Sequence, residues 1–192
     1  MGSDKALLSL HPTGPPVLVS VIARLHDVTD DLFLVGVDRP GYDEFDAPLI
    51  ADRFPGAGPL GGIVTALEAT KHPHCLVVAC DMPFLDPHLL RRMAGRPRDA
   101  YDVLLPVIPD PDRDRRPRLV PQTLHAIYSH RCRPAAERRL LAGERRISSF
   151  FPDVRVEAVD QAQLGVDDVG ARSFFSVDTP AAMRQAREWL PR

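Results

Sequence analysis

The chain has 192 residues, enough for one domain with a substantial core, and its 44% hydrophobic and 26% charged residues are ordinary for a soluble globular protein. A formal net charge of -2 gives no general electrostatic attraction for nucleic acid or for a membrane, so neither is expected as a partner. No apolar run approaches a membrane span, no signal-peptide pattern is present, and three cysteines without a CxxC spacing suit a reducing cytoplasm.

Taken in chain order, short apolar runs alternate with helical patterns. Val17, Leu18, Val21, Ile22 and Leu25 recur at helical spacing, and residues 32–37 follow as a strand. Leu60, Ile63, Val64 and Leu67 mark a second helix, and residues 76–80 a second strand. Asp86-Pro87 opens a third helix, after which residues 103–108 and 124–128 read as strands. The proline- and charge-rich stretch between them, residues 109–118, reads as a solvated loop whose arginines are an alternative phosphate contact. A helix over residues 133–142 precedes the alternating Val154, Val156 and Ala158. Residues 174–177 read as a last strand, and the closing helix carries Met183, Ala186 and Leu190 on one face. No repeat or linker divides the chain, so residues 1–192 form a single α/β domain with a mostly parallel sheet covered on both faces.

Chemistry is expected where strands end, because open parallel sheets bind ligands beyond their carboxyl ends. Asp81 follows the apolar run Leu76-Val77-Val78-Ala79-Cys80, and the helix-capping role behind it belongs to Asp86. Asp81 is therefore free for a ligand, a hard divalent cation above all. Asp178 follows Phe174-Phe175-Ser176-Val177, and Thr179-Pro180 caps the next helix without it. The two carboxylates together suit Mg²⁺ on a triphosphate, although support of the cap is an equal reading for Asp178. Asp38 follows residues 32–37 and suits guanine N–H groups or a ribose hydroxyl, with a turn acid as the alternative. In Pro55-Gly56-Ala57-Gly58-Pro59-Leu60-Gly61-Gly62, a glycine turn runs into a helix N-terminus. Bare backbone there favours anions, or serves close helix–sheet packing. It is not a Walker loop, since no Gly-Lys-Ser/Thr follows. His72 and His74 lack a third ligand and read as solvated. Arginine supplies nearly all the positive charge, and Lys5 and Lys71 are the only lysines.

A resemblance joins these residues. Met1-Gly2-Ser3-Asp4-Lys5-Ala6-Leu7-Leu8 looks like the tail of the nucleotidyltransferase motif L-A-G-G-x-S-x-R-M-G-x-D-K-x-L-L. Asp52, Pro55-Gly56-Ala57-Gly58-Pro59-Leu60-Gly61-Gly62, Cys80-Asp81-Met82-Pro83 and Ser176-Val177-Asp178-Thr179-Pro180 follow in order. So do Leu124-His125-Ala126-Ile127-Tyr128 and Gly143-Glu144-Arg145-Arg146. The set resembles the molybdenum cofactor guanylyltransferase (MobA-like) family over essentially the whole chain. The resemblance implies a Rossmann-like three-layer sandwich of the nucleotide-diphospho-sugar transferase type. It implies transfer of GMP from GTP to molybdopterin with loss of pyrophosphate, Mg²⁺ as cofactor, and transient molybdenum cofactor delivery or acceptor proteins. Lys5 would then contact the nucleotide as a catalytic residue, with Asp38 and Asp52 on the guanosine. Gly58, Pro59, Leu60, Gly61 and Gly62 would line the nucleotide, and Asp81 would hold the metal. Other nucleotides, other phosphorylated acceptors and a non-catalytic nucleotide-binding module are the competing readings.

The chain departs from the family pattern at three places. Asp38 stands where Asn is usual, Ser176 replaces the first Asn of the closing motif, and the L-A-G-G-x-S-x-R loop with its strand does not precede Met1. A misplaced start, a trimmed chain and a decayed relative each account for the third. The expectation is a hydrophobic slot mid-sheet flanked by two unpaired strand edges, with poor stability and little activity.

Overall fold

The computed structural model describes residues 7–38, 40–110, 118–167 and 169–190. Helix α1 (Val17–His26) leads to strand β1 (Leu34–Gly36), then β2 (Leu49–Ala51), α2 (Pro59–Ala69) and β3 (His74–Val78). Helix α3 (Pro87–Ala94) is followed by β4 (Val103–Pro109), β5 (Leu119–Pro121), β6 (His125–Ser129) and α4 (Arg133–Leu141). Strand β7 (Val156–Asp160) and helix α5 (Pro180–Glu188) complete the chain. Local chemistry starts the helices where the sequence indicates. Asp86 accepts from the His88 N–H at 2.9 Å ahead of α3, and Thr179 accepts from the Ala182 N–H at 3.0 Å ahead of α5.

The sandwich has three layers because alternate residues of each strand feed opposite faces. Leu104 of β4 and Ile127 of β6 join α1, α3 and α5 in one core, which holds Leu25, Leu90 and Met183. Their neighbours Val103, Leu105, Ala126 and Tyr128 join α2 and α4 in the other, with Leu60, Val64 and Phe150. The α/β class stands, with one refinement of direction. Strand β6 runs antiparallel to both β3 and β4, so β3 and β4 point the same way, and β7 lies parallel to β4. Strand β5 forms a hairpin with β4, closed at its base by the Asp110 N–H on the Arg118 carbonyl at 2.8 Å. The tip of that hairpin, residues 111–117, lies outside the described residues.

The sheet is split. Strand β1 pairs in parallel with β2 alone, and β3 pairs with β6 alone, among the described residues. Between them lies a cavity of about 920 Å³ lined by β1, β3, α1 and α2. Among the described residues, each of these two strands carries a partner on one edge only. Residues 174–177 correct another expectation. They form no strand; Gly170–Phe174 is a 3-10 turn and the chain then runs extended into α5. The 3-10 turn satisfies its own backbone locally, so no sheet partner is needed. No helix among the described residues is long and apolar enough to cross a membrane.

Candidate functional site

Asp81 sits three residues past Val78, the last residue of β3, on a loop fixed from several sides. The Ala79 N–H donates to the Leu124 carbonyl at 3.0 Å. The Leu85 carbonyl accepts from Arg24 at 3.0 Å, and the Asp86 N–H donates to Ser173 Oγ at 2.9 Å. The fourth tie brings the two expected acids together: the Val177 N–H donates to the Asp81 carbonyl at 2.9 Å, which places Asp178 beside Asp81. Both line the large cavity with Cys80 and Ser176, and Gly36, Pro59 and Gly62 line it from β1 and α2. Neither carboxylate has an ion-pair or hydrogen-bond partner among the described residues. A carboxylate pair left uncompensated within the protein fits a divalent cation. Asp178 thus reaches Asp81 through an extended segment rather than from a strand end.

The glycine turn keeps its conformation and changes its role. Gly56 and Gly58 have φ of +79° and +74°, values that L side chains rarely adopt, so the turn requires glycine. Gly61 is buried; a Cβ there would lie 3.1 Å from Phe54 Cβ, the Phe54 carbonyl and Ala57 Cβ. Leu60 is fully buried in the core beside Val64 and Phe150. Both positions serve packing: Gly61 lets the turn press on α2, and Leu60 anchors the helix. Gly58 and Pro59 stay exposed at the helix start, and a Cβ on Gly62 would meet nothing within 4 Å. The open end of α2 is thus Gly58, Pro59 and Gly62.

Asp52 is tied into the same turn. Its Oδ1 accepts from the Phe54 N–H at 2.9 Å and from Thr65 Oγ1 at 3.0 Å, so it clamps the start of the turn onto α2. It lines neither of the two cavities, and its bonds give it a positioning role in the turn. Asp38 lines a second cavity of about 520 Å³, with Asp43, Phe45 and Ala51. Tyr42 lines both cavities and makes them neighbours. Tyr42 was not legible as a site residue, because it stands in a Gly/Asp/Pro-rich stretch with no periodicity. Lys5 lies outside the described residues. His72 pairs with Asp31 at 2.7 Å and holds the far end of the cavity.

His125 underlies the Asp81 loop. It is fully buried, stands opposite Val78 in the register, and its ring lies 4.5 Å from that of Phe174. Burial lowers its pKa to about 4, against a smaller raising effect of the Ser173 backbone, so the ring is neutral at pH 7. No group of three or more His, Cys, Asp or Glu side chains among the described residues is arranged to hold a metal alone. A cation on Asp81 and Asp178 would need further oxygens, as from a bound triphosphate.

Residues 1–159 match the MobA-like NTP transferase domain family. A probable molybdenum cofactor guanylyltransferase of Pelotomaculum thermopropionicum is 34% identical, over 97% of this chain and 85% of that protein. A molybdenum cofactor guanylyltransferase of Desulfosudis oleivorans is 30% identical, over 87% of this chain and 80% of its own length. Among solved structures, molybdopterin-guanine dinucleotide biosynthesis protein A of Archaeoglobus fulgidus superposes with a TM-score of 0.73 at 25% identity. It covers 97% of this chain, and 90% of that protein is matched. A 2-C-methyl-D-erythritol 4-phosphate cytidylyltransferase of Thermus thermophilus shares the fold with a TM-score of 0.67 at 19% identity, covering 96% of this chain and 92% of that one. The family model spans residues 1–159, and curated relatives at 30% identity or more are matched over most of their length: the chain belongs to the MobA-like NTP transferase family.

Proposed function

We propose that the chain transfers GMP from GTP to molybdopterin. In this reading a terminal phosphate oxygen of molybdopterin attacks the α-phosphorus of GTP in line. A new P–O bond forms, the bond from the α-phosphorus to the bridging oxygen breaks, and pyrophosphate leaves. The single observation that carries the reading is the Asp81–Asp178 pair, two uncompensated carboxylates beside the open start of α2. Asp81 and Asp178 would hold Mg²⁺, which would supply neutralisation of negative charge on the triphosphate. The N-terminal backbone of α2 at Gly58, Pro59 and Gly62 faces the anionic substrate. Asp38, in the adjoining cavity, accepts from guanine N1–H and N2–H₂, donors that adenine and cytosine do not present together. Asp52 and Thr65 keep the turn in register, and catalysis is positioning and charge neutralisation rather than covalent chemistry.

The test is pyrophosphate release and formation of the guanine dinucleotide product from GTP, Mg²⁺ and molybdopterin. Transfer from GTP and not from ATP or CTP is expected. Equal turnover of all three nucleotides overturns the guanine assignment, and product without Mg²⁺ overturns the metal assignment.

A further inference from the structure

The two cavities of the site differ in charge, and the difference orients a nucleotide across them. The larger, about 920 Å³, holds the open start of α2 and the Asp81–Asp178 pair, which suits a metal-bound triphosphate. The smaller, about 520 Å³, is lined by the carboxylates of Asp38 and Asp43 and by apolar groups. No lysine, arginine or histidine lines it among the described residues. Two carboxylates without a neighbouring cation repel phosphate and accept N–H donors. The base end of a nucleotide therefore belongs in the smaller cavity and the phosphate end in the larger.

Tyr42 stands at the junction, since it lines both. Its ring lies 5.4 Å from that of Phe45, with the planes at 86°. One ring set edge to face covers at most one face of its neighbour. The loop that carries the pair is braced at three points. The Leu34 N–H donates to the Pro48 carbonyl at 2.8 Å, and the Ala47 N–H donates to the Phe45 carbonyl at 2.8 Å. His26, the last residue of α1, donates from Nε2 to the Asp46 carbonyl at 3.1 Å. Tyr42 and Phe45 also pack against the core that holds Leu25. A ring held this way loses little further freedom when a ligand arrives.

A side chain between the two ends of a nucleotide meets either the plane of the base or the ribose. Tyr42 has a π-face for the first and a hydroxyl for the second. The perpendicular Phe45 ring favours the face, because it fixes the plane of Tyr42, which a hydroxyl contact does not need.

We propose that Tyr42 is a nucleobase-stacking residue: the base of the bound nucleotide lies on its ring, Phe45 holds the ring plane, and Asp38 reads the edge of the base. The proposal rests on the reading of this site as a nucleotide site. It assigns affinity to Tyr42 and selectivity to Asp38.

Three probes separate the parts: guanosine without Mg²⁺, tripolyphosphate with Mg²⁺, and GTP with Mg²⁺, each titrated calorimetrically into the 192-residue chain. Tyr42→Leu is expected to weaken guanosine and GTP by about tenfold or more and to leave tripolyphosphate unchanged. Tyr42→Phe keeps the ring and is expected to bind all three as the unmodified chain does. The ratio of GTP to ATP affinity should stay the same in Tyr42→Leu, because every base has a π-face. Unchanged guanosine and GTP binding in Tyr42→Leu overturns the proposal. Equal weakening of tripolyphosphate also overturns it, since the damage is then to the fold of the loop. A loss in Tyr42→Phe as large as in Tyr42→Leu overturns it in favour of a ribose contact through the hydroxyl. Tripolyphosphate binding without guanosine binding defeats the stacking and spares the transfer reading. Guanosine binding that depends on Tyr42, in a chain that transfers no GMP, does the reverse.

Discussion

Strand β4 is paired along both sides, with β7 on one and β6 then β5 on the other, whereas among the described residues β1 and β3 are each paired on one side only. The contrast shows in burial. All five residues of β6 are buried and all five of β3 are half-exposed, although His125-Ala126-Ile127-Tyr128-Ser129 is no more apolar than His74-Cys75-Leu76-Val77-Val78. Exposure here follows from what stands beside a strand, not from its side chains. The open half is also where the candidate chemistry gathers, since Asp81, Asp178 and the start of α2 surround one end of the gap. The closed half supplies rigidity, and the open half supplies access.

The largest expected effect separates chemistry from scaffold. Asp81→Asn is expected to lower GMP transfer by on the order of a hundredfold or more, with Tm nearly unchanged. Pyrophosphate release and thermal unfolding, measured together, check it; near-normal turnover would show that Asp81 holds no metal. Next, equal truncations on the two sides of the sheet are expected to differ. Leu104→Ala in β4, where the side chain is fully buried, should cost about 2–5 kcal/mol. Leu34→Ala, beside the gap, should cost roughly 1 kcal/mol. Equal losses in urea denaturation would mean the two halves are packed alike.

A third effect is pH-dependent. His125 has its pKa lowered to about 4 in the folded state, against about 6.5 when unfolded. The unfolded chain therefore binds the extra proton first, and stability falls as pH drops from about 6.5 to 4. The loss reaches roughly 3 kcal/mol, and His125→Phe is expected to flatten that limb of the urea midpoint against pH. Asp102 acts lower down. Hydrogen bonds from Arg155 hold its carboxyl below the usual range, so its contribution persists above about pH 4 and disappears in stronger acid. An unchanged slope between pH 6.5 and 4 in the His125 variant would assign the acid sensitivity elsewhere.

The smallest effect divides the glycine pair. Gly61→Ala should destabilise by about 1–3 kcal/mol, because the Phe54 carbonyl blocks its Cβ. Gly62→Ala should stabilise by up to about 1 kcal/mol through helix propensity and weaken GTP binding, since Gly62 lines the cavity. Similar stability changes in both would remove the distinction between packing glycine and open glycine.

These differences explain which parts of the sequence were readable. Helices α1, α3 and α5 announce themselves through stripes and caps such as Asp86 and Thr179, because helix signals are local. Asp81 was legible for the same reason: a long apolar run ends at it and a separate residue does the capping. Strands β2 and β5 were not, since three residues carry no period and depend on partners far along the chain. Residues 174–177 misled because four apolar-leaning residues read as strand, while the 3-10 turn before them needs no sheet. The packing of Gly61 and Leu60 was not legible, because the contact of Gly61 with Phe54 exists only once the turn lies on α2. The bond of Asp52 to Thr65 was not legible, because it depends on α2 folding back over the turn.

The most direct measurement is a titration of Mn²⁺, standing in for Mg²⁺, into the 192-residue chain with GTP present, followed by electron paramagnetic resonance. The expected result is a GTP-dependent bound-metal signal that weakens by tenfold or more in both Asp81→Asn and Asp178→Asn, with Tm unchanged in each. Metal binding that survives both substitutions would contradict the Asp81–Asp178 site.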